Sequence, residues 1–158
     1  MSTEENKDKV RSFYAKVFNQ KNHDEALKEA KDIFSDEYVL HYRDADIDVT
    51  VNGPDGIANL VSWTRAPFSG LEASIIGEPM EVEGNRVVTR FKVSATYKEE
   101  EEEGMSERPV EVEGMSISQF SETEGKIKES WMIWETGRFY EQMDLLDPGT
   151  KLKRPLFS

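Results

Sequence analysis

Apolar residues in the N-terminal part of the chain recur at the spacing of helices. Positions three or four residues apart form one apolar stripe, which comprises Val10, Phe13, Tyr14, Val17 and Phe18. Ser2 and Glu5 have the spacing of a capping box, which satisfies the free N–H groups at the start of a helix. A second helix is predicted to begin near Asp24 and a third near Asp55, and Pro67 ends the third.

From residue 71 the spacing of apolar positions changes from helical to alternating. Strands are predicted at about 71–82, 85–97, 109–120 and 126–136, separated by turn signals, and a short strand at 38–42 precedes them. Helices followed by hairpin-linked strands are typical of an α+β fold. In such a fold the helices pack on one face of an antiparallel sheet.

Alternation divides the last predicted strand into two faces. Trp131, Ile133 and Glu135 point one way, and Met132 and Trp134 point the other. If the first face lines the interior, the Glu135 carboxylate lies beside an indole and an apolar side chain. An exposed indole is unfavourable in a monomer, so we expect Met132 and Trp134 to contribute to an interface between two sheets.

Glu135 and His41 are the candidate proton-transfer groups. A carboxyl group among apolar side chains suits general acid–base chemistry near neutral pH, and a histidine moves protons in the same range. The structural alternatives are a strand-end glutamate in solvent or paired with Arg138, and a half-buried strand histidine with one hydrogen bond.

The strand at 85–97 has one clearly more apolar face. The residues predicted for the core are Val87, Thr89, Phe91, Val93, Ala95 and Tyr97. Arg90 lies on the opposite face, either exposed or as the buried partner of a carboxylate such as Glu129 or Glu135. In the following predicted strand, the apolar residues occupy even-numbered positions before Gly114 and odd-numbered positions after it. This change predicts a β-bulge at Gly114.

Composition narrows the classes of partner. The 158 residues include 20 Lys and Arg against 32 Asp and Glu, and the net charge of −12 disfavours nucleic acid and anionic membranes. There is no run of about 18 apolar residues that could span a membrane. The charged N-terminus does not resemble a secretory signal, so we expect a cytoplasmic protein.

Cysteine is absent and only two histidines are present, His23 and His41. Thiolate sites and multi-histidine metal centres are therefore excluded, and we expect no metal site. The five glutamates at 99–103 are predicted to lie in a solvated loop. Residues 1–146 are expected to form one domain, and residues 147–158 an extended C-terminal tail.

Residues 125–135, Gly-Lys-Ile-Lys-Glu-Ser-Trp-Met-Ile-Trp-Glu, resemble the closing strand of SnoaL-like polyketide cyclases, G-K-I-x-E-x-W-x-x-x-D. That family belongs to the nuclear transport factor 2-like superfamily, and the resemblance extends over most of residues 5–145. It implies a cone-shaped domain in which N-terminal helices pack on a curved antiparallel sheet that encloses an apolar pocket. It also implies a homodimer formed through the sheet.

The resemblance assigns roles to residues as well. In cyclases of this family an acidic residue at the end of the closing strand is the general acid–base of a cofactor-free ring closure. Glu135 stands at that position, where Asp is usual, with His41 as its assistant. Thr96 stands where a histidine is common. The residues that the resemblance and the pattern place at the substrate are Trp131, Ile133, Tyr42, Arg90, Thr96 and Trp63.

Two classes of function remain open. The first is an enzyme of cyclase, isomerase or dehydratase type, in which Glu135 and His41 transfer a proton on a small apolar carbonyl compound. The second is a non-catalytic module of the same fold that binds a hydrophobic ligand or forms a dimer. The position of Glu135 relative to the pocket distinguishes the two, because fold alone does not determine function.

Overall fold

The computed structural model describes residues 3–44, 47–102 and 104–143. Within these ranges the chain forms four helices and seven strands. The helices are α1 (Thr3–Ser12), which a π-helical turn (Phe13–Phe18) continues, α2 (His23–Ile33), α3 (Gly53–Arg65) and α4 (Thr136–Gln142). The strands are β1 (Phe34–Asp44), β2 (Ile47–Asn52), β3 (Phe68–Ile75), β4 (Met80–Val82), β5 (Arg86–Glu101), β6 (Gly104–Phe120) and β7 (Ile127–Trp134).

The three N-terminal helices lie where the apolar spacing predicts them. At the start of α2 the Asn22 side chain accepts a hydrogen bond from the Glu25 N–H at 3.0 Å, which caps the helix. The helix α3 begins two residues before the predicted cap at Asp55, because Pro54 suits the first turn of a helix. The predicted cap at Ser2 lies outside the described residues.

The strands form one mixed sheet in the order β2–β1–β7–β6–β5–β3, and β4 pairs with β5. The strands β1 and β7 run parallel, so the expectation of an entirely antiparallel sheet is wrong. Most of the chain separates these two strands, and such a long connection allows parallel pairing. The predicted strand at 71–82 is two strands, and β2 is a strand that the sequence analysis leaves unassigned. The predicted α+β class is confirmed.

The core lies between the helices and one face of the sheet. The predicted core residues of β5 are all buried, at most 9% exposed, which confirms that prediction. On this inner face Phe91 of β5 contacts Tyr14 of the π-helical turn, with ring centroids 5.3 Å apart. Phe13 packs edge-on against Phe34 at 5.5 Å. Aromatic side chains therefore fix the N-terminal helices to the sheet.

The inner face of β7 is the one that the sequence analysis expected to be exposed. Trp134 is only 9% exposed and packs edge-on against Phe139 of α4 at 5.4 Å. Trp131 and Ile133 are 36% and 58% exposed and lie on the outer face, which is turned away from the helices. The prediction that Met132 and Trp134 form an exposed interface is wrong, because α4 covers the end of the strand.

Gly114 lies in a regular part of the sheet. The register of β5 with β6 is continuous, and Gly114 is paired with Phe91 on one side and Trp134 on the other. The predicted bulge at Gly114 is wrong, because the apolar residues that suggested it, Met115 and Ile117, lie on the outer face. The irregularity in this part of the sheet lies between β6 and the start of β7 instead.

The glutamate run belongs largely to a β-hairpin. The strand β5 continues to Glu101 and β6 begins at Gly104, so the prediction of a loop over the whole run is wrong. Glu103 and the predicted tail at 147–158 lie outside the described residues. In the described part of the chain, no helix is long and apolar enough to cross a membrane.

Candidate functional site: two inner cavities and an outer apolar patch

A small apolar cavity lies between α3 and the inner face of the sheet. Its volume is about 20 Å³, which holds about one water molecule. Six of its nine lining residues have wholly hydrocarbon or thioether side chains, and the other three, Tyr42, Thr64 and Trp134, each carry one polar group. The lining residues are Phe13, Phe18, Tyr42, Ile57, Leu60, Val61, Thr64, Met132 and Trp134. We call this space the apolar cavity.

A second inner cavity, of about 10 Å³, lies deeper, between the N-terminal helical segment and strands β6 and β7. Five hydroxyl groups line it, and each belongs to a residue at most 6% exposed. They are those of Tyr14, Tyr38, Ser116, Ser118 and Ser130. We call this space the hydroxyl cavity. No carboxylate, lysine, arginine or histidine lines either cavity among the described residues.

The hydroxyl groups of the hydroxyl cavity bond to one another. The Tyr14 hydroxyl lies 3.2 Å from Ser116 Oγ, and Ser130 Oγ donates to Ser118 Oγ at 3.5 Å. Tyr38 and Ser130 line the same cavity. Burial raises the pKa of Tyr14 and of Tyr38 above the ordinary value near 10, since a phenolate would lose its hydration there. Both phenols therefore remain hydrogen-bond donors at neutral pH.

These two buried phenols predict a loss of stability in alkali. Tyrosines of the unfolded chain ionise near pH 10, whereas the buried phenols stay protonated to higher pH. The contribution of these two phenols to the free energy of unfolding is therefore constant below about pH 10. Above that pH the free energy of unfolding falls, by up to about 1.4 kcal/mol per pH unit for each tyrosine. Urea unfolding between pH 8 and 11 measures this slope. Tyr38→Phe should reduce it, and an unchanged slope in that variant would contradict the burial of this phenol.

Glu135 continues the ladder between β6 and β7 where β7 ends. Its backbone N–H donates to the Glu113 carbonyl at 3.0 Å, and its Oε2 accepts from the Glu113 N–H at 3.0 Å. Arg138 Nη1 lies 3.6 Å from the same oxygen. Gln142 similarly bonds both backbone groups of Glu111. The side chain of Glu135 is 42% exposed and lies outside both inner cavities.

His41 lies on the outer face of β1. Its Nε2 is 2.9 Å from Glu129 Oε2, and its ring stacks on Trp131 with centroids 5.5 Å apart. It lines an open concavity of about 470 Å³ on the outer face, and Glu135 lines a neighbouring one of about 420 Å³. The structure therefore does not bring His41 and Glu135 into one pocket.

Among the residues predicted to contact the substrate, only Tyr42 lines an inner cavity. Its hydroxyl group is hydrogen-bonded to Thr136 Oγ1 at 3.1 Å. Trp131, Ile133 and Arg90 lie on the outer face, and Arg90 is 3.4 Å from Glu113. The remaining two predicted residues, Thr96 and Trp63, line none of the cavities described here.

The hydroxyl cavity is absent from the predictions made from the sequence. Its signal is present in the sequence as the serines at alternate positions of β6, Ser116 and Ser118, and their partner Ser130 in β7. Serine is uncommon in the buried face of a strand, because its hydroxyl needs a hydrogen-bond partner there. Buried serines on the same face of adjacent strands therefore indicate a polar group or a cavity in the core.

The helices pack on one face of a mixed sheet, and small cavities lie between these two layers of an α+β fold. The family model of the SnoaL-like polyketide cyclases matches residues 8–143. This chain belongs to that family. No curated protein matches the chain in sequence.

Solved structures share the fold at low identity. IdmH from Streptomyces antibioticus, provisionally described as a polyketide cyclase, matches with a TM-score of 0.67 and 20% identity, over 88% of this chain and 98% of IdmH. AclR from Streptomyces galilaeus, provisionally described as a hydroxylase, matches with a TM-score of 0.69 and 20% identity, over 92% of this chain and 89% of AclR. A protein from Catenulispora acidiphila with a ketosteroid isomerase-like fold matches with a TM-score of 0.66 and 13% identity, over 85% of this chain and 90% of that protein.

Proposed function

We propose that this chain binds a small, neutral, apolar molecule between α3 and the inner face of the sheet. The observation that carries the proposal is the lining of the apolar cavity, in which hydrophobic side chains surround a few uncharged polar groups. A charged ligand would lose its hydration there without a partner of opposite charge. The cavity is small, so binding requires side chains that line it to move aside.

This proposal favours the non-catalytic class over proton transfer by Glu135 and His41. The Glu135 carboxylate already accepts the Glu113 N–H and lies beside Arg138. His41 bonds Glu129 on the outer face of the sheet. A general base must come within hydrogen-bond reach of the proton that it removes. A ligand in the apolar cavity is separated from both groups by the sheet.

Substitutions on α3 test the location of the ligand. Leu60→Trp fills the apolar cavity and is expected to weaken binding of N-phenyl-1-naphthylamine, a neutral fluorescent probe, about tenfold or more. Asn59→Trp places the same side chain on the exposed side of the helix and should leave the affinity unchanged. Equal affinities for the two variants would place the probe elsewhere and contradict the proposal.

Glu135→Gln tests the catalytic alternative. Glutamine keeps an acceptor oxygen for the Glu113 N–H but cannot transfer a proton, so the fold should be retained. For any carbonyl compound that the protein converts in a substrate screen, we expect kcat to change less than about threefold. A loss of about 10²-fold or more, with an unchanged unfolding curve, would restore the acid–base enzyme.

A second candidate function is the formation of a homodimer through the outer face. Four exposed apolar side chains meet there, and Ile117 and Met115 of β6 lie directly opposite Trp131 and Ile133 of β7. We call these four residues the outer apolar patch. Val88 of β5 lies opposite Ile117, and His41 of β1 lies opposite Trp131, so these two residues extend the patch across the sheet.

A second copy of this chain is the proposed occupant of the outer apolar patch. Charged residues of both signs flank the patch, in the pairs Arg90–Glu113 and Lys92–Glu111. A two-fold arrangement can therefore place opposite charges together around an apolar centre.

A further inference from the structure

We infer that the edge of β6 from Met105 to Pro109 binds a basic segment of this same chain, residues 150–154, as an added strand. We call this part of β6 the free edge. The segment has the sequence Thr-Lys-Leu-Lys-Arg and lies outside the described residues. Neither the apolar cavity nor the outer apolar patch includes the free edge, so the inference does not depend on the proposed function.

Two side chains take the place of a strand beside β6. The strand β7 pairs with β6 only as far as Gly114. Beyond that point the Glu135 side chain accepts the Glu113 N–H. The Gln142 side chain bonds both the N–H and the carbonyl of Glu111. The backbone groups of Glu113 and Glu111 therefore point to this side of β6, away from β5.

The free edge continues the same side of β6 toward the start of the strand. Because backbone groups point to alternate sides along a strand, those of Pro109, Glu107 and Met105 point the same way as those of Glu111. Among the described residues, no strand pairs with this side of β6 before Gly114. Proline has no N–H to donate, and its presence at 109 is typical of a strand edge. Glu107 and Met105 each offer one N–H and one carbonyl to an added strand.

The charges along the hairpin select a basic strand. Residues 98–108 include six glutamates, one lysine and one arginine, so their net charge is 2 − 6 = −4. Glu102 and Glu107 are exposed. Like charges at a sheet edge repel a second copy of the same edge. Residues 150–154 have the opposite sign, with three positive charges and no negative one, so the hairpin attracts them.

The end of α4 lies where a following strand would have to begin. Along β6, the chain passes from Trp134, opposite Gly114, to Gln142, bonded to Glu111, and so approaches the free edge. The distance from Glu111 to the start of β6 is about 24 Å along the strand. The eight residues that follow Met143 can span about 26 Å when extended. The basic segment is therefore close enough to reach the free edge and the glutamates beside it.

Amide hydrogen exchange tests the added strand in the full chain. The N–H groups of Met105 and Glu107 should exchange about tenfold or more slowly than in Lys151→Glu/Lys153→Glu, because a paired N–H is protected. Exchange in the wild type at the rate of an unfolded peptide would overturn the inference, and so would equal rates in the two proteins.

A second pair of lysines supplies the control for the change in charge. Lys16 and Lys21 are exposed and lie near the end of the N-terminal helical segment. Lys16→Glu/Lys21→Glu alters the net charge by the same amount and should keep the protection of the free edge. Loss of protection in this variant as well would attribute the effect to net charge and contradict the docking of residues 150–154.

Cross-linking with a carbodiimide identifies the occupant. The reagent activates a carboxyl group, and a lysine amine in contact with it forms an amide bond while the reagent leaves as a urea. Among the links made by the two lysines of residues 150–154, we expect the main one to join Glu107 within one chain. Glu107→Gln should abolish this link, and Glu81→Gln, at an exposed glutamate of β4, should retain it. A link between two chains would show that a second copy supplies the strand, and would overturn the inference.

Discussion

Met115→Asp is expected to convert the proposed dimer into a monomer. Met115 is 44% exposed in the outer apolar patch, between Ile133 of β7 and Arg90 of β5. In a dimer formed through this face, a carboxylate there would lose its hydration among apolar side chains. Two-fold symmetry introduces the substitution twice. We therefore expect the dissociation constant to rise about 10²-fold or more, which corresponds to about 2.8 kcal/mol.

A second methionine on the same strand supplies the control. Met105 is 60% exposed near the start of β6, ten positions from Met115 and far from the patch. Met105→Asp adds the same charge to the same element and should leave the dimer intact. Sedimentation equilibrium at physiological salt measures both, since screening limits repulsion between two chains of net charge −12. A wild-type monomer, or equal effects of the two variants, would exclude the patch as the interface.

The helices and the inner face of β5 could be predicted from the sequence because their apolar residues have a single periodicity. The stripe from Val10 to Phe18 forms the single apolar side of a helix. Alternate residues from Val87 to Tyr97 form the single apolar face of a strand. When the opposite side of an element is polar, burial follows directly from the pattern. These segments needed no information about their neighbours.

The faces of β7 could not be predicted in this way, because both are apolar. Trp131 and Ile133 on one side resemble Met132 and Trp134 on the other, so hydrophobicity does not distinguish the inside from the outside. The distinction comes from α4, which packs Phe139 against Trp134. The position of Glu135 followed the same error, because Glu135 lies between the end of β7 and the start of α4, in the same outer concavity as Ile133. A contact made later in the chain thus determined the site.

Gly114→Ala is expected to destabilise the protein strongly, although it adds only one methyl group. A Cβ atom at residue 114 would lie 2.5 Å from Phe91 Cζ, 2.7 Å from the Ile133 carbonyl oxygen and 2.8 Å from Trp134 Cβ. Two of these contacts involve a backbone atom and a Cβ, which cannot move away without shifting β7. We expect the free energy of unfolding to fall by about 3 kcal/mol, at the upper end for overpacking in a core.

The same substitution at Gly137 isolates the steric effect. Gly137 lies in α4, and a Cβ there would have no atom within 4 Å apart from its chain neighbours and the backbone of its own helix. Gly137→Ala should therefore be neutral or stabilising by up to about 1 kcal/mol, because alanine favours helices. Urea unfolding of both variants gives the difference. Adding Phe91→Leu to Gly114→Ala should recover only part of the loss, since the Ile133 carbonyl oxygen still contacts the new methyl group. Full recovery would show that the ring of Phe91, and not the backbone of β7, requires glycine at this position.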